Sequence, residues 1–306
     1  MRTDGFKSFW AAFLLTAVVL IPFIAGTLLW VQVRQDRADR VSRSQSGVRI
    51  VTPTTKHQHT LLLAVPGEEA LALVLARLDA PANRLQLAVI PAEGVVLAGQ
   101  QPMTLAQAYE GAGPARVTQL LQETLDLSID GYLAITADQL GKALGSADHL
   151  RVGLSGALTE QQLTIAGLEG DAADYTAKSG HDLLVGLQTL VDDGQLSAAA
   201  LGQARAALWD AALRQNLERL PATLPEGLRQ VSDRTLTSLA AQDYYLLAET
   251  LEFLANQKAA PTAGLLPGQW NAAEAKYEFD DTTLDYLHAF CSASAAAEAS
   301  SARSAP

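Results

Sequence analysis

A chain of 306 residues that is 49% hydrophobic and 18% charged, with 22 Gly and 12 Pro, is neither fibrous nor a low-complexity polymer, and it can bury one large core or two small ones. Charge is unevenly placed: residues 1–49 hold seven Lys/Arg against three Asp/Glu, a net of +4, which leaves −15 for the remainder of a chain whose total is −11. So acidic a body excludes a nucleic-acid grip, which needs a basic face for the phosphates, and the single cysteine, Cys291, excludes an internal disulfide.

The first predicted element is a membrane span. From Ser8 to Val33 there is no charged residue. The apolar run Phe9–Val31 would form a helix of roughly 34 Å, enough to cross a bilayer core of about 30 Å. Trp10 and Trp30 stand near its ends, where indole rings favour the headgroup level, and Pro22 and Gly26 are tolerated inside a membrane helix. The run is too long for a signal-peptide core and no small-x-small cleavage site follows it. Residues 9–33 are therefore expected to be an uncleaved transmembrane helix behind a short tail, 1–8. The positive-inside rule weighs Arg2 and Lys7 before the span against Arg34, Arg37, Arg40, Arg43 and Arg49 after it, and taken alone it points the body inward. Residues 34–58 are polar, without an apolar stripe, and read as a juxtamembrane linker. His57 and His59 fall on one side of an extended chain there; with no third ligand nearby, solvent exposure rather than a metal pair is expected.

The body then alternates strand-like and helix-like segments. "TLLLAV" (Thr60–Val65), "LALVLARLD" (Leu71–Asp79) and "RLQLAVI" (Arg84–Ile90) are strands, the last two forming a hairpin across "APAN" at the centre of a sheet. "TLAQAYEGAGPARVTQLLQETLDL" is a short helix, a Gly-rich break, and a second helix opened by Pro114 with Val117, Leu120, Leu121 and Leu125 on one stripe. "DGYLAI" returns to strand. Thr136 and Gln139 have the spacing of a capping box before a helix that Gly145 stops, and "LRVGL" is strand again. Residues 171–258 read as mostly helical, interrupted by "PATLPEG", with Trp209 in the core. "AKYEFD" and "DTTLDYLHAFC" are a last strand and helix, and "SASAAAEASSARSAP" (292–306) is a tail expected to stay disordered. Such alternation predicts an α/β layered fold.

This order resembles the LytR-CpsA-Psr (LCP) domain of bacterial cell-envelope biogenesis, which has a membrane anchor, a strand, a hairpin ending in I-P-R-D, an A-Y-x-x-G-G loop before a helix, an I-D-x-Y strand and an L-G-G-V turn. The matching text is "ALALVLARLDAPANRLQLAVIPAE", "AQAYEGAGPARVTQLLQETLDLSIDGYLAITADQLGKALGSADHLRV" and, near the end, "DRTLTSLAAQDYYLLAETLEFL", together covering roughly Thr60 to Leu254. The resemblance implies a mixed central sheet flanked by helices with an apolar groove for a polyprenyl chain. It also implies transfer of glycopolymers from a polyprenyl-pyrophosphate carrier to peptidoglycan outside the cytoplasmic membrane. That context places the C-terminal domain outside, against the arginine count.

The chemistry needs guanidinium groups on the pyrophosphate and carboxylates for Mg²⁺. Carried across, the family's hairpin Asp falls at Leu71, beside Ala72, the corner Arg at Ala92, and the corner Asp at Glu93; in "ADYTAKSGHD" the tyrosine stays as Tyr175 but the two arginines become Ala177 and Ser179, with Lys178 between. Ala106 and Ala112 also replace the Asn and the first Gly around Tyr109. No catalytic residue and no metal ligand set is therefore assigned. Leu71, Ala92, Glu93, Tyr109, Tyr175 and Lys178 are instead the candidate lining of a vestigial ligand groove. Glu68 and Glu69 could join Glu93 in a carboxylate cluster, Glu93 alone reads as a solvated cap, Arg77 and Asp79 as a surface ion pair, and His181 and Asp182 are adjacent rather than mutually oriented.

The sequence thus predicts a single-pass protein of the cytoplasmic membrane with an extracytoplasmic LCP-like domain at 59–291, acting as a degenerate binding or regulatory module. Its expected partners are the bilayer through residues 9–33 and a polyprenyl lipid or cell-wall polymer, with no nucleic acid and no cofactor. One alternative is an active, Mg²⁺-using transferase with relocated cations from Lys178, Arg205 or Arg214; another is a membrane-tethered scaffold with an acidic partner face.

Overall fold

The computed structural model describes residues 53–67, 71–136, 139–140, 150–154, 158–171, 174–177, 187, 190, 196–232 and 235–292. The expected membrane helix, most of the linker, the tail after Ser292, and Glu68, Glu69, Lys178, His181 and Asp182 lie outside these residues. Among the described residues no helix is long and apolar enough to cross a membrane.

A 3₁₀ turn, Thr55–His57, leads into β1 (Gln58–Pro66), β2 (Leu71–Asp79) and β3 (Arg84–Ile90). Asn83, in the left-handed region at φ 49°, closes the predicted β2–β3 hairpin. Next come a small hairpin not anticipated from the sequence, β4 (Val95–Ala98) and β5 (Gln101–Thr104), then α1 (Leu105–Leu125) and β6 (Gly131–Ala134). The Gly-rich break in α1 is real: Ala112 and Gly113 leave helical geometry, and Pro114 opens the second part. A satellite sheet follows, from β7 (Leu150–Val152), α2 (Glu160–Ile165), β8 (Leu168–Asp171) and β9 (Asp174–Ala177). The remainder is α3 (Ala198–Asn216), α4 (Leu220–Gln230), β10 (Leu236–Thr237), α5 (Ala241–Asn256), β11 (Thr262–Leu265), the β12–β13 hairpin (Gln269–Asn271, Lys276–Glu278) and α6 (Asp281–Cys291).

Residues 171–258 are mostly helical where described, as expected, with β9 and β10 as short exceptions. One expectation needs correction. "PATLPEG" does not interrupt a helix but lies inside α4: Pro221 sits in the first turn, where an N–H has no intrahelical acceptor anyway, and Leu220, Leu224, Leu228 and the following Val231 supply one apolar face.

The main sheet has the order β10-β6-β1-β2-β3-β11. The β1–β2 and β2–β3 pairs are antiparallel, β6–β1 and β3–β11 parallel. One face, carrying Leu62, Leu73, Leu75, Ala88 and Ile90, packs on α1 and α6. The other carries Val74, Leu87 and Val89 under Ala206, Trp209 and Leu213 of α3, and Leu78 and Leu85 under α4 and α5. Burial on both faces explains why the central strands read as near-continuous apolar runs. α3 also turns Leu201, Ala204 and Leu208 toward the satellite core. Gly202 permits its close approach to the main sheet, because a Cβ there would meet Leu265 Cδ1 at 2.5 Å.

Arg77 and Asp79 are not the surface pair expected from their spacing. The Asp79 carboxylate is 0% exposed and lies 3.4 Å from both Arg77 Nη2 and Arg84 Nη2. Gln58 Nε2 and the Ala82 amide each donate to Asp79 Oδ1 at 3.1 Å. Arg84 in turn donates to the Ala289 and Ser292 carbonyls at the C-terminus of α6. The strand period placed Arg77 and Asp79 on one face correctly; what it could not show is that α6 covers that face. Removing the shared carboxylate would strand two guanidiniums in a mostly buried site. Asp79→Ala is therefore expected to destabilise the fold by about 3–5 kcal/mol, read as a fall in the urea midpoint, whereas Glu274→Ala on the exposed β12–β13 turn leaves that midpoint unchanged.

Candidate functional site

β3 ends at Ile90 and the chain turns through Pro91, Ala92, Glu93 and Gly94. The turn is held from three sides. Gly94 N donates to Pro91 O at 3.0 Å, Tyr277 N to Glu93 O at 3.1 Å, and Leu105 N and Ala106 N to Gly94 O and Ala92 O at 2.9 and 2.8 Å. Gly94 is required by proximity: a Cβ there would stand 2.6 Å from Phe279 Cζ and 3.1 Å from Leu105 Cδ1. These contacts also decide what the N-terminus of α1 can do. Its first two amides go to corner carbonyls and the third, Gln107 N, to the Thr104 hydroxyl at 3.2 Å, so the donors that a helix start could offer an anion are already engaged.

The side chains at the corner are mostly apolar. Ala92 is 6% exposed and belongs to the same core cluster as Leu71, Leu105 and Ala108, with Tyr109 packed half-buried against it. Burial pushes the Tyr109 phenol above its usual range. Glu93 is half-buried. Tyr175 is not part of this group: it lies in the satellite core with Val152, Leu154 and Leu168.

Of the basic residues named as replacements, the structure places Arg205 in the interior of α3, 7% exposed. Burial lowers its pKa, and the negative charge of Glu93 partly offsets that effect. Arg214 is elsewhere. It lies nine residues further along α3, about 13 Å, with its side chain 52% exposed and its Nε donating to Asp210 Oδ2 at 2.7 Å. Asp210 also accepts from the Ala263 amide at 3.3 Å, so that pair ties α3 to β11.

The histidines differ from expectation. His57 sits in the 3₁₀ turn, its Nδ1 accepting from Thr54 N at 3.0 Å and its Nε2 lying 3.7 Å from Glu249 Oε2 on α5. His59 is not solvent exposed: it is 8% exposed in β1, and its Nε2 has no hydrogen-bond partner among the described residues. Alternation along β1 puts it under α5, a layer the local sequence does not announce. Among the described residues no group of three or more His, Cys, Asp or Glu could hold a metal ion.

No family model matches the chain and no curated protein matches it either. Solved structures do. TagT bound to LIIa-WTA is similar over 81% of this chain and 95% of its own, at 13% identity and a TM-score of 0.57. TagT of B. subtilis is similar over 80% and 94%, at 14% identity and a TM-score of 0.55. A LytR-Csp2A-Psr enzyme from Actinomyces oris is similar over 79% and 93%, at 15% identity and a TM-score of 0.54. The described domain therefore has the LCP fold, as the order of motifs implied.

The buried His59 gives a pH dependence of stability. Burial lowers its pKa, opposed by Asp130 and Asp243 and reinforced by His57 and Arg77. The unfolded chain then takes up a proton near pH 6.5 while the folded chain does not, so stability falls as pH drops below about 6.5. His59→Gln is expected to flatten that slope in urea titrations run between pH 7.5 and 5.5, chosen to bracket the free imidazole pKa of about 6.5; an unchanged slope assigns the effect elsewhere.

Proposed function

We propose that the chain is a membrane-anchored, extracytoplasmic LCP-like module of bacterial cell-envelope assembly that binds a polyprenyl-linked or cell-wall ligand without transferring it. The observation that carries this reading is the charge balance of the corner. Ala92 and Leu71, at the positions of the family's arginine and aspartate, are packed into the apolar cluster, and the buried Arg205 faces the opposing charge of Glu93. Cleavage of the pyrophosphate in phosphoryl transfer develops negative charge on the departing polyprenyl phosphate that must be met by several cations in a water-excluded site. One guanidinium opposed by a carboxylate supplies close to zero net charge. It can orient a single phosphate but cannot neutralise a pyrophosphate as its P–O–P bond is cleaved.

The kind of ligand is supported by the TagT structure, whose own ligand is LIIa-WTA. Attachment to the cytoplasmic membrane with the domain outside rests on the apolar run at 9–33 together with the fold, and an acidic body of −15 agrees with a partner other than nucleic acid. A second reading, transfer with relocated cations, draws on the one replacement that is in place, Arg205. Arg214 does not join it, being held by Asp210.

Binding measurements on the detergent-solubilised full chain separate the two. A polyprenyl monophosphate should bind saturably, Arg205→Gln should weaken it about tenfold, and Mg²⁺ should change the affinity for the corresponding pyrophosphate by less than about threefold. Tightening of pyrophosphate binding tenfold or more by Mg²⁺, or release of polyprenyl phosphate from a glycan-loaded pyrophosphate carrier, would overturn the proposal in favour of the second reading.

A further inference from the structure

At the opposite end of the main sheet from Ala92, β1, the loop after α1 and the last turn of α6 line a shallow, solvent-open cleft of about 520 Å³, within the range that small-ligand sites occupy. Its polar groups are held from behind. Gln58 Nε2 donates to the buried Asp79, which leaves the amide oxygen for the cleft. Thr60 Oγ1 accepts from Arg77 Nη1 at 2.9 Å, which leaves its O–H to donate. Asp130 Oδ2 accepts from Thr60 N at 2.7 Å, which leaves Oδ1 as an acceptor. Gln58 and Thr60 share a face because they are two residues apart in a strand. Asp126 and Ser128 complete the wall, exposed and without a hydrogen bond among the described residues, and Leu125 and Leu287 supply apolar surface beside them.

The chemistry of this wall selects among ligand classes. Arg77 and Arg84 share the one carboxylate of Asp79, and Asp126 and Asp130 add two more beside the His288 imidazole, so three carboxylates stand against two guanidiniums around the cleft and leave no net positive charge to hold phosphate. Two carboxylates fall short of a metal set, and among the described residues no such set exists. A hydroxyl group, which donates and accepts at once, matches acceptors interleaved with hydroxyl donors, and the C–H face of a sugar ring matches the leucines. The supporting hydrogen bonds fix the array before a ligand arrives, which reduces the ordering cost of binding.

We propose that this cleft is a glycan-binding site for one or two uncharged sugar rings, separate from the corner at Ala92. The test uses the full chain in detergent, titrated with the β-1,4-linked disaccharide of N-acetylglucosamine and followed by saturation-transfer NMR. The native chain binds the disaccharide saturably at about millimolar concentration, and inorganic phosphate does not compete. Asp126→Gly with Ser128→Ala lowers the affinity about tenfold or more at an unchanged Tm, since Asp126 already sits at φ 48° where glycine is at home. Ser128→Ala alone gives a smaller loss in the same direction, and Glu93→Gln at the far corner gives none. Absence of saturable binding, equal affinity in the double variant, competition by phosphate, or a matching loss from Glu93→Gln each overturns the assignment.

Discussion

A sheet covered on both faces leaves charge a place only at its two ends, and this constraint organises the molecule. Leu62, Leu73, Leu75 and Ile90 are closed in by α1 and α6, and Val74 and Val89 by α3. An ionised group within that span would lose its hydration with nothing to replace it. Where the constraint is tested, at Asp79, the carboxylate is wholly buried and survives because two guanidiniums, an amide side chain and a backbone amide surround it. Such a cluster contributes less to net stability than its contacts suggest, because desolvation offsets them, and through Arg84 it ties the hairpin to α6. The hold of Arg84 on the α6 carbonyls also suits the negative end of the helix dipole.

The other end meets the same constraint by giving its polar groups to backbone. The corner carbonyls of Ala92 and Gly94 take the first two amides of α1, and the Glu93 carbonyl takes Tyr277 N. Each bond removes an unsatisfied polar group from a buried turn, and together they fix the direction in which the chain leaves β3. The consequence for binding is negative. A helix start aimed at a strand end is a ready anion site only while its amides are open, and here they are closed. What remains for a ligand is side-chain chemistry, and at Ala92 and Leu71 that chemistry is hydrocarbon.

Much of this was legible before any coordinates. The β2–β3 hairpin, the break at Ala112–Gly113, the capping box of Thr136 with Gln139, and the final helix all follow from local rules and appear at the expected residues. The order of those elements carried the resemblance to the LCP domain, and with it the fold. The misses share one cause, which is that local patterns do not reveal the covering layer. His59 and the Arg77–Asp79 pair were assigned to solvent because nothing in their own strands mentions α5 or α6. The helix through Pro221 and Pro225 was missed because its tertiary apolar face outweighs two residues of poor propensity. The polar cleft had no local signal at all: Gln58, Thr60 and Asp130 come together through the parallel pairing of β1 with β6, seventy positions apart in sequence.

The position of Arg205 shows how the satellite sheet bears on the corner. α3 packs Ala206, Trp209 and Leu213 on the main sheet and Leu201, Ala204 and Leu208 on the satellite core, so one rigid element answers to two cores. Arg205 stands on α3 between those two faces, and at 7% exposed it is the most buried Arg or Lys among the described residues. The close fit at Gly202 against Leu265 sets how near the helix can come to β11, and the Arg214–Asp210–Ala263 contacts hold it further along. A cation on a loop could shift to follow a ligand; one on a helix clamped at two cores cannot move without disturbing both packings. The electrostatics of the corner are therefore a property of how α3 is wedged between two sheets, while Tyr175 belongs to the satellite core and Ala92 to the main one.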